Sequence, residues 1–190
     1  MRFTIKVGGI ALALLVGATG LSAQMMHGGG MGHMHGADGT GHDEVNMPGL
    51  QGLDATPEES AELAFMFRNF PKIQRTVENL PNGIRTVTRS DDPELMDVLV
   101  SHAVGMIDRV GQKRDPKVFI QSPTLDIFFA RSEGIVSDVE VTDEGLVVVQ
   151  TSEDPELVEA LHTHAAEVSA MAERGMQAVH EMMMQRARSN

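Results

Sequence analysis

The sequence repeats itself at a fixed distance of 62 residues. The segment SDDPEL at 90–95 recurs as SEDPEL at 152–157, and each copy runs on to a histidine, His102 or His164. No gap is needed to align the copies. A match at a fixed offset sets the architecture before any other feature does. Two copies are too few for a solenoid, so the repeat predicts one compact domain with related halves at about 60–112 and 122–174.

Each repeated segment is typical of a helix start. Asp92 and Asp154 are good N-cap residues, and the proline that follows each one suits the first helical position. The acidic pairs of these segments also resemble general acid/base carboxylates or ligands for hard cations. Capping explains them without any function, and we expect that role.

Each helix then carries an apolar stripe with a histidine in its middle. The stripes have helical spacing, so both histidines are predicted to face the core at the same place in each half. The first stripe comprises Leu95, Leu99, His102, Met106 and Val110, and the second comprises Leu157, Leu161, His164, Val168 and Met171.

Taken together, the local signals predict an α+β fold of two αββα repeats. The four strands should form one antiparallel sheet packed with helices and related by a pseudo-twofold axis. Thr56 and Glu59 indicate a capping box at the first helix, and Asn82-Gly83 favours a type I′ hairpin turn. The predicted helices are 57–69, 93–110, 118–131 and a long one over 155–186, and the predicted strands are 72–79, 84–89, 136–142 and 146–151.

The chain begins with features of export. A basic start, an apolar run over 7–16 and a small residue at Ala23 predict a signal peptide over 1–23. We therefore expect a bacterial periplasmic or secreted protein that is soluble after cleavage. The Gly-rich stretch 24–56 cannot bury enough apolar surface to order itself, so it is predicted to be a disordered leader before the domain at 57–190.

Between residues 25 and 35 of the leader, every residue other than glycine is methionine or histidine. Thioether and imidazole groups suit Cu(I) and Cu(II), so the leader is predicted to capture copper. The alternative is a plain solvated linker, although a linker does not need clustered Met and His. The candidate metal ligands in the leader are Met25, Met26, His27, Met31, His33, Met34, His35 and His42.

Charge and composition exclude several classes. The formal charge of −12 falls to about −14 when Arg2 and Lys6 leave with the signal peptide, which argues against nucleic acid and anionic membranes as partners. The absence of cysteine excludes disulfides, thiolate metal sites and covalent haem. No phosphate loop, zinc-protease helix or nucleophile elbow occurs, so an enzyme is not indicated.

The paired histidines are the candidate site of the domain. His102 and Met106 are four residues apart on one helix face, and a twofold axis would let His102 and His164 converge on a copper ion or on an axially ligated, non-covalent haem. The alternative is a pair of ordinary core histidines. His162 should point away from this stripe. His180 and Met184 form another four-residue pair, which suits either a soft ion or a protein contact.

The doubled S-D/E-D-P-E motif with its helical histidine resembles a group of small exported bacterial proteins of unassigned function. The resemblance covers about Phe65 to Gly175 and implies a repeated fold unit with paired histidines, and no activity.

The sequence thus predicts a periplasmic metal-binding protein for copper capture or homeostasis. A haem-binding or small-ligand protein that uses His102 and His164 is the alternative, and a hydrolase or oxidoreductase at the same pocket is a third. A metal ion is the expected partner, and no protein partner is indicated.

Overall fold

The structure is a computed structural model that describes residues 47–189. It confirms an α+β fold in which helices pack on a four-stranded antiparallel sheet. Short 3-10 helices lie at Pro48–Leu50, Phe70–Lys72 and Ser132–Gly134. The main elements are α1 (Pro57–Arg68), β1 (Gln74–Leu80), β2 (Gly83–Arg89), α2 (Pro93–Gly111), α3 (Thr124–Ala130), β3 (Val136–Thr142), β4 (Gly145–Thr151), α4 (Pro155–Arg174) and α5 (Met176–Ser189).

The strands lie in the order β1-β2-β4-β3, so the two hairpins meet at their second strands. The register within one hairpin recurs 62 residues later in the other, since Gln74 pairs with Arg89 and Val136 pairs with Thr151. Between β2 and β4, the pair Thr86–Val148 maps onto itself when the halves are exchanged. The pseudo-twofold relation stays a prediction, and these registers are the ones it requires.

Both hairpins turn through two residues, Pro81-Asn82 in the first and the acidic pair at 143–144 in the second. The predicted type I′ turn is wrong, because that turn needs positive φ at both central residues and proline fixes φ near −65°. The glycine after each turn is required by a close approach of the neighbouring strand. A Cβ on Gly83 would lie 1.9 Å from the Gln150 carbonyl oxygen, and one on Gly145 would lie 2.6 Å from that of Thr88.

The helix starts agree with the capping chemistry of the sequence. Asp92 accepts hydrogen bonds from the backbone N–H groups of Glu94 and Leu95, and Asp154 accepts one from Glu156. The capping box between Thr56 and Glu59 at α1 is also present. Asp92 and Asp154 of the repeated motif therefore satisfy N–H groups at the helix starts, as we expected.

The core lies between one face of the sheet and the helices. Alternate residues of β2 and β3 are buried, which is the pattern of a sheet covered on one side. The helices cross between the halves, because α4 packs on β1 and β2 while α2 packs on β3. A buried cluster at this junction comprises Ile84, Phe128, Ile135, Leu157, Leu161 and Ala165.

The segment before α3 is not the helix predicted over 118–131. Only Thr124–Ala130 is helical, after Pro123. The preceding backbone pairs instead with 49–54: Phe119 N–H donates to the Gln51 carbonyl, and Asp54 N–H donates to that of Pro116. The prediction of disorder up to residue 56 is therefore wrong for this stretch, in which Leu50 is fully buried.

Buried Arg109 of α2 links residues 49–54 to α1 and α2 through hydrogen bonds. Its guanidinium donates to both carboxylate oxygens of Glu59 and to the carboxylate and carbonyl of Asp54. Arg109 also holds the pKa of the Glu59 carboxyl below its ordinary value. The segment 49–54 thus belongs to the folded unit.

The long C-terminal helix predicted over 155–186 is interrupted at Gly175. This glycine has φ 56° and ψ −136°, which ends α4 and starts α5 in a new direction. A Cβ there would lie 2.7 Å from the ring of Phe70. Both the backbone angle and the close ring require glycine at this position. Beyond it, Ala178 and Val179 of α5 are buried.

Over the described range 47–189, no helix has both the length and the hydropathy needed to cross a bilayer.

Candidate functional site

The described residues contain two buried polar atoms that face each other without a hydrogen bond. They are Nδ1 of His164 and Oε2 of Glu167, which lie 3.8 Å apart one turn along α4. Their side chains are 28% and 18% exposed. A buried polar atom without a hydrogen bond lowers the stability of the fold by about 1–3 kcal/mol. Two such atoms in contact are unfavourable for folding, so we treat them as a candidate binding site.

The other oxygen of Glu167 is held firmly. Oε1 accepts hydrogen bonds from the hydroxyls of Ser122, at 2.6 Å, and Thr124, at 3.2 Å, both at the start of α3. Burial raises the pKa of the Glu167 carboxyl, but His164 and these hydroxyls lower it more, so the pKa lies below its ordinary value. The carboxylate is therefore charged at neutral pH and oriented by α3.

His164 is also fixed by an aromatic neighbour. The Phe128 ring of α3 meets the imidazole edge to face, with ring centres 5.6 Å apart. Such a contact orients the imidazole without using its ring nitrogens. α3 thus positions both members of the pair, through Phe128 on His164 and through two hydroxyls on Glu167.

His102 interacts electrostatically with His164 across the domain core. It is half-buried on α2, and burial lowers the pKa of its imidazole to about 4. The Glu59 carboxylate opposes this shift, whereas the His164 imidazole adds to it. At neutral pH the His102 imidazole is therefore uncharged, which is the form that binds metals.

The remaining predicted ligands divide into two groups. Met106 is half-buried on α2, one turn from His102. Met183 and Met184 of α5 are about half exposed, near His180. The leader ligands lie outside the described residues, so their role in copper capture stays a prediction. They are Met25, Met26, His27, Met31, His33, Met34, His35 and His42.

His162 has a role that the sequence did not indicate. Its Nε2 lies 3.2 Å from the Leu80 carbonyl oxygen and 2.8 Å from that of Gly83, at the two ends of the first turn. Because both partners are acceptors, Nε2 carries the proton and donates. A core histidine was expected to form a hydrogen bond with a backbone carbonyl. His162 forms such bonds, whereas His164 Nδ1 does not.

Glu167 is the site residue that sequence reasoning missed. The signal was present, because Glu167 follows His164 by three residues and side chains at this spacing share a helix face. The prediction instead paired the histidines with methionines of the apolar stripe at helical spacing. Ser122 and Thr124 had no comparable signal, since they reach α4 only through the packing of α3.

The pair is not a complete metal centre by itself. Across residues 47–189, no group of three or more His, Asp or Glu side chains is arranged to hold an ion. Comparison of the chain with known proteins gave no significant match to a family model, to a curated protein or to a solved structure. The resemblance to exported bacterial proteins stays a prediction.

Proposed function

We propose that this chain is an exported copper-binding protein. In this proposal the Met/His-rich leader captures the ion, and the pair His164–Glu167 holds it on the domain while leader side chains complete its coordination. The observation that carries the proposal is the unpartnered contact between His164 Nδ1 and Glu167 Oε2.

The spacing of these two atoms suits a bound ion. Metal bonds to imidazole nitrogen and carboxylate oxygen are about 2.0–2.2 Å long. An ion about 2.1 Å from each of two atoms that are 3.8 Å apart would make an angle of about 130° between its bonds. One ion would therefore bind both unpartnered atoms without a change in the backbone of α4.

The donor types favour a borderline divalent ion. Imidazole and carboxylate suit Cu(II) and Zn(II) better than they suit Cu(I), whereas the thioethers of the leader suit Cu(I). The coordination positions that Glu167 and His164 leave open would be filled by methionine and histidine side chains of the leader. The domain supplies two ligands, since no third His, Asp or Glu side chain within 47–189 is arranged to join them.

The proposal is tested by titrating the mature chain with Cu(II) and following nitrogen coupling in the electron paramagnetic resonance spectrum. We expect His164→Ala and Glu167→Gln each to weaken binding at the domain by at least tenfold, about 1.4 kcal/mol. Glu159→Gln, an exposed carboxylate of the same helix, is the control and should bind like the wild type.

Two further measurements separate the leader from the domain. The titrations are repeated in a variant whose leader methionines and histidines are replaced by serine, where the domain site remains. Unchanged affinity in both α4 variants would refute the domain site. A chain that carries no copper but shows a Soret band after purification would refute the copper proposal in favour of haem.

A further inference from the structure

A second side chain of the domain, in the first hairpin, has a buried polar atom without a hydrogen-bond partner. Arg75 of β1 is partly buried, and its Nε atom is buried without a hydrogen-bond partner. Its one hydrogen bond in the described structure runs from Nη1 to the Thr88 hydroxyl, at 2.7 Å. The two terminal nitrogens of this guanidinium carry three further N–H donors that have no partner within the described protein.

The charge of Arg75 is not balanced either. Within residues 47–189, no carboxylate lies at ion-pair distance from its guanidinium. Burial lowers the pKa of Arg75 to about 10, so the side chain is still cationic at neutral pH. A cation held partly out of water without a counter-charge is costly, and such groups are normally paired.

The fold does not require a cation at this position. The residues that lie 62 positions after Arg75 and Thr88 are Ser137 and Gln150. In the second hairpin, Gln150 Nε2 donates to the Ser137 hydroxyl at 3.0 Å, so the same cross-strand position is filled by a neutral pair. The two hairpins thus provide an internal comparison, in which only the first one keeps an unbalanced charge.

Arg75 lies in the wall of a cleft between β1 and α4. The cleft has a volume of about 210 Å³, and its apolar wall is formed by Phe70, Pro71, Ile73 and Ala172. At roughly 30 Å³ for each water molecule, it has room for about seven. A cleft of this size takes a small molecule with a short hydrocarbon part.

The remaining wall residues refine the ligand class. The Ser169 hydroxyl donates a hydrogen bond to the Ala165 carbonyl, and the Glu173 side chain is exposed at the rim of the cleft. Because Glu173 is beyond ion-pair distance from Arg75, it does not neutralise the guanidinium. It would repel a multiply charged anion such as phosphate more strongly than a singly charged one.

We propose that the cleft between β1 and α4 binds a small monocarboxylate with an apolar tail, with Arg75 as the residue that holds its carboxylate. A guanidinium donates to a carboxylate in bidentate fashion, which would use donors that the protein leaves free. The tail would cover Phe70 and Ile73. None of the lining residues belongs to the His164–Glu167 pair, so this site is independent of copper binding.

The proposal is tested by titrating the mature chain with sodium hexanoate and measuring heat and the thermal unfolding midpoint. Hexanamide, which keeps the tail and removes the charge, and inorganic phosphate, which keeps a charge and removes the tail, are the comparison probes. We expect hexanoate to bind and to raise the midpoint, and both comparison probes to bind at least tenfold more weakly. Equal binding of either comparison probe would overturn the monocarboxylate assignment.

Variants then test the role of Arg75. Arg75→Gln removes the charge and leaves an amide donor on the same face of β1. We expect it to lose at least tenfold in affinity and to unfold at the same temperature as the wild type or higher, since an unbalanced charge is gone. Arg75→Lys should retain part of the affinity. Arg89→Gln on the adjacent strand is the matched control and should bind normally. No binding of hexanoate, or normal binding by Arg75→Gln, would refute the proposal.

Discussion

The lowered pKa of His102 predicts that the metal-free domain loses stability in mild acid. The unfolded chain takes up a proton at this imidazole near pH 6.5, whereas the folded chain does so only near pH 4. Protonation therefore favours the unfolded state. The contribution of His102 is fully present above pH 6.5 and is lost as the pH falls toward 4.

The size of the effect follows from the two pKa values. Between pH 7 and pH 5, a shift from 6.5 to about 4 corresponds to a loss of about 1.8 kcal/mol in the free energy of unfolding. His102 is half-buried, so solvent screening reduces this figure, and we expect about 1–2 kcal/mol. The groups that face it are Glu59, which opposes the shift, and His164, which adds to it.

The assay is urea unfolding at several pH values between 5 and 7, with a chelator present. This window lies above the range in which the carboxyls of lowered pKa, such as Glu59 and Asp92, take up protons. His102→Gln should flatten the dependence on pH by about 1–2 kcal/mol. Identical slopes in His102→Gln and wild type would refute the reasoning.

Further substitutions test other parts of the fold. His162→Ala should lower the free energy of unfolding by about 1–3 kcal/mol, measured by urea titration, because two turn carbonyls lose their donor. Gly175→Ala should lower the melting temperature by several degrees in calorimetry, since its φ of 56° and the ring of Phe70 both oppose a side chain. Arg109→Gln should cost about 3 kcal/mol in the same urea assay, because the carboxylates it pairs with remain. Deletion of 24–46 should reduce the Cu(I) stoichiometry found by competition with a chelator and leave the melting temperature unchanged.

The parts of the fold that were predictable are those with a local cause. The two predicted hairpins are present in one antiparallel sheet, and the caps at Asp92 and Asp154 use residues two or three positions away. The predictions from sequence were wrong where contacts with a distant segment determine the backbone conformation. The stretch 118–123 lies against residues 49–54, and the break at Gly175 accommodates Phe70, which is more than 100 positions earlier in the chain.

The same distinction between local and distant causes applies to the residues of the candidate site. Helical periodicity was enough to single out His102 and His164, but not to recognise that Glu167 completes a polar pair with His164. That pairing depends on hydroxyls of α3 that orient the carboxylate. Arg75 had no signal at all in the sequence, because its anomaly is the absence of a partner, and this appears only when its neighbours are known.

The crossing of the helices has a consequence for any attempt to divide the chain. Since α4 covers β1 and β2, a fragment that ends before residue 113 would leave its own hairpin without a cover. A second copy of that fragment would supply one, by pairing β2 with β2 so that Thr86 lies opposite its counterpart, as it lies opposite Val148 in the intact chain. We therefore expect the first half, expressed alone, to be stable only as a homodimer.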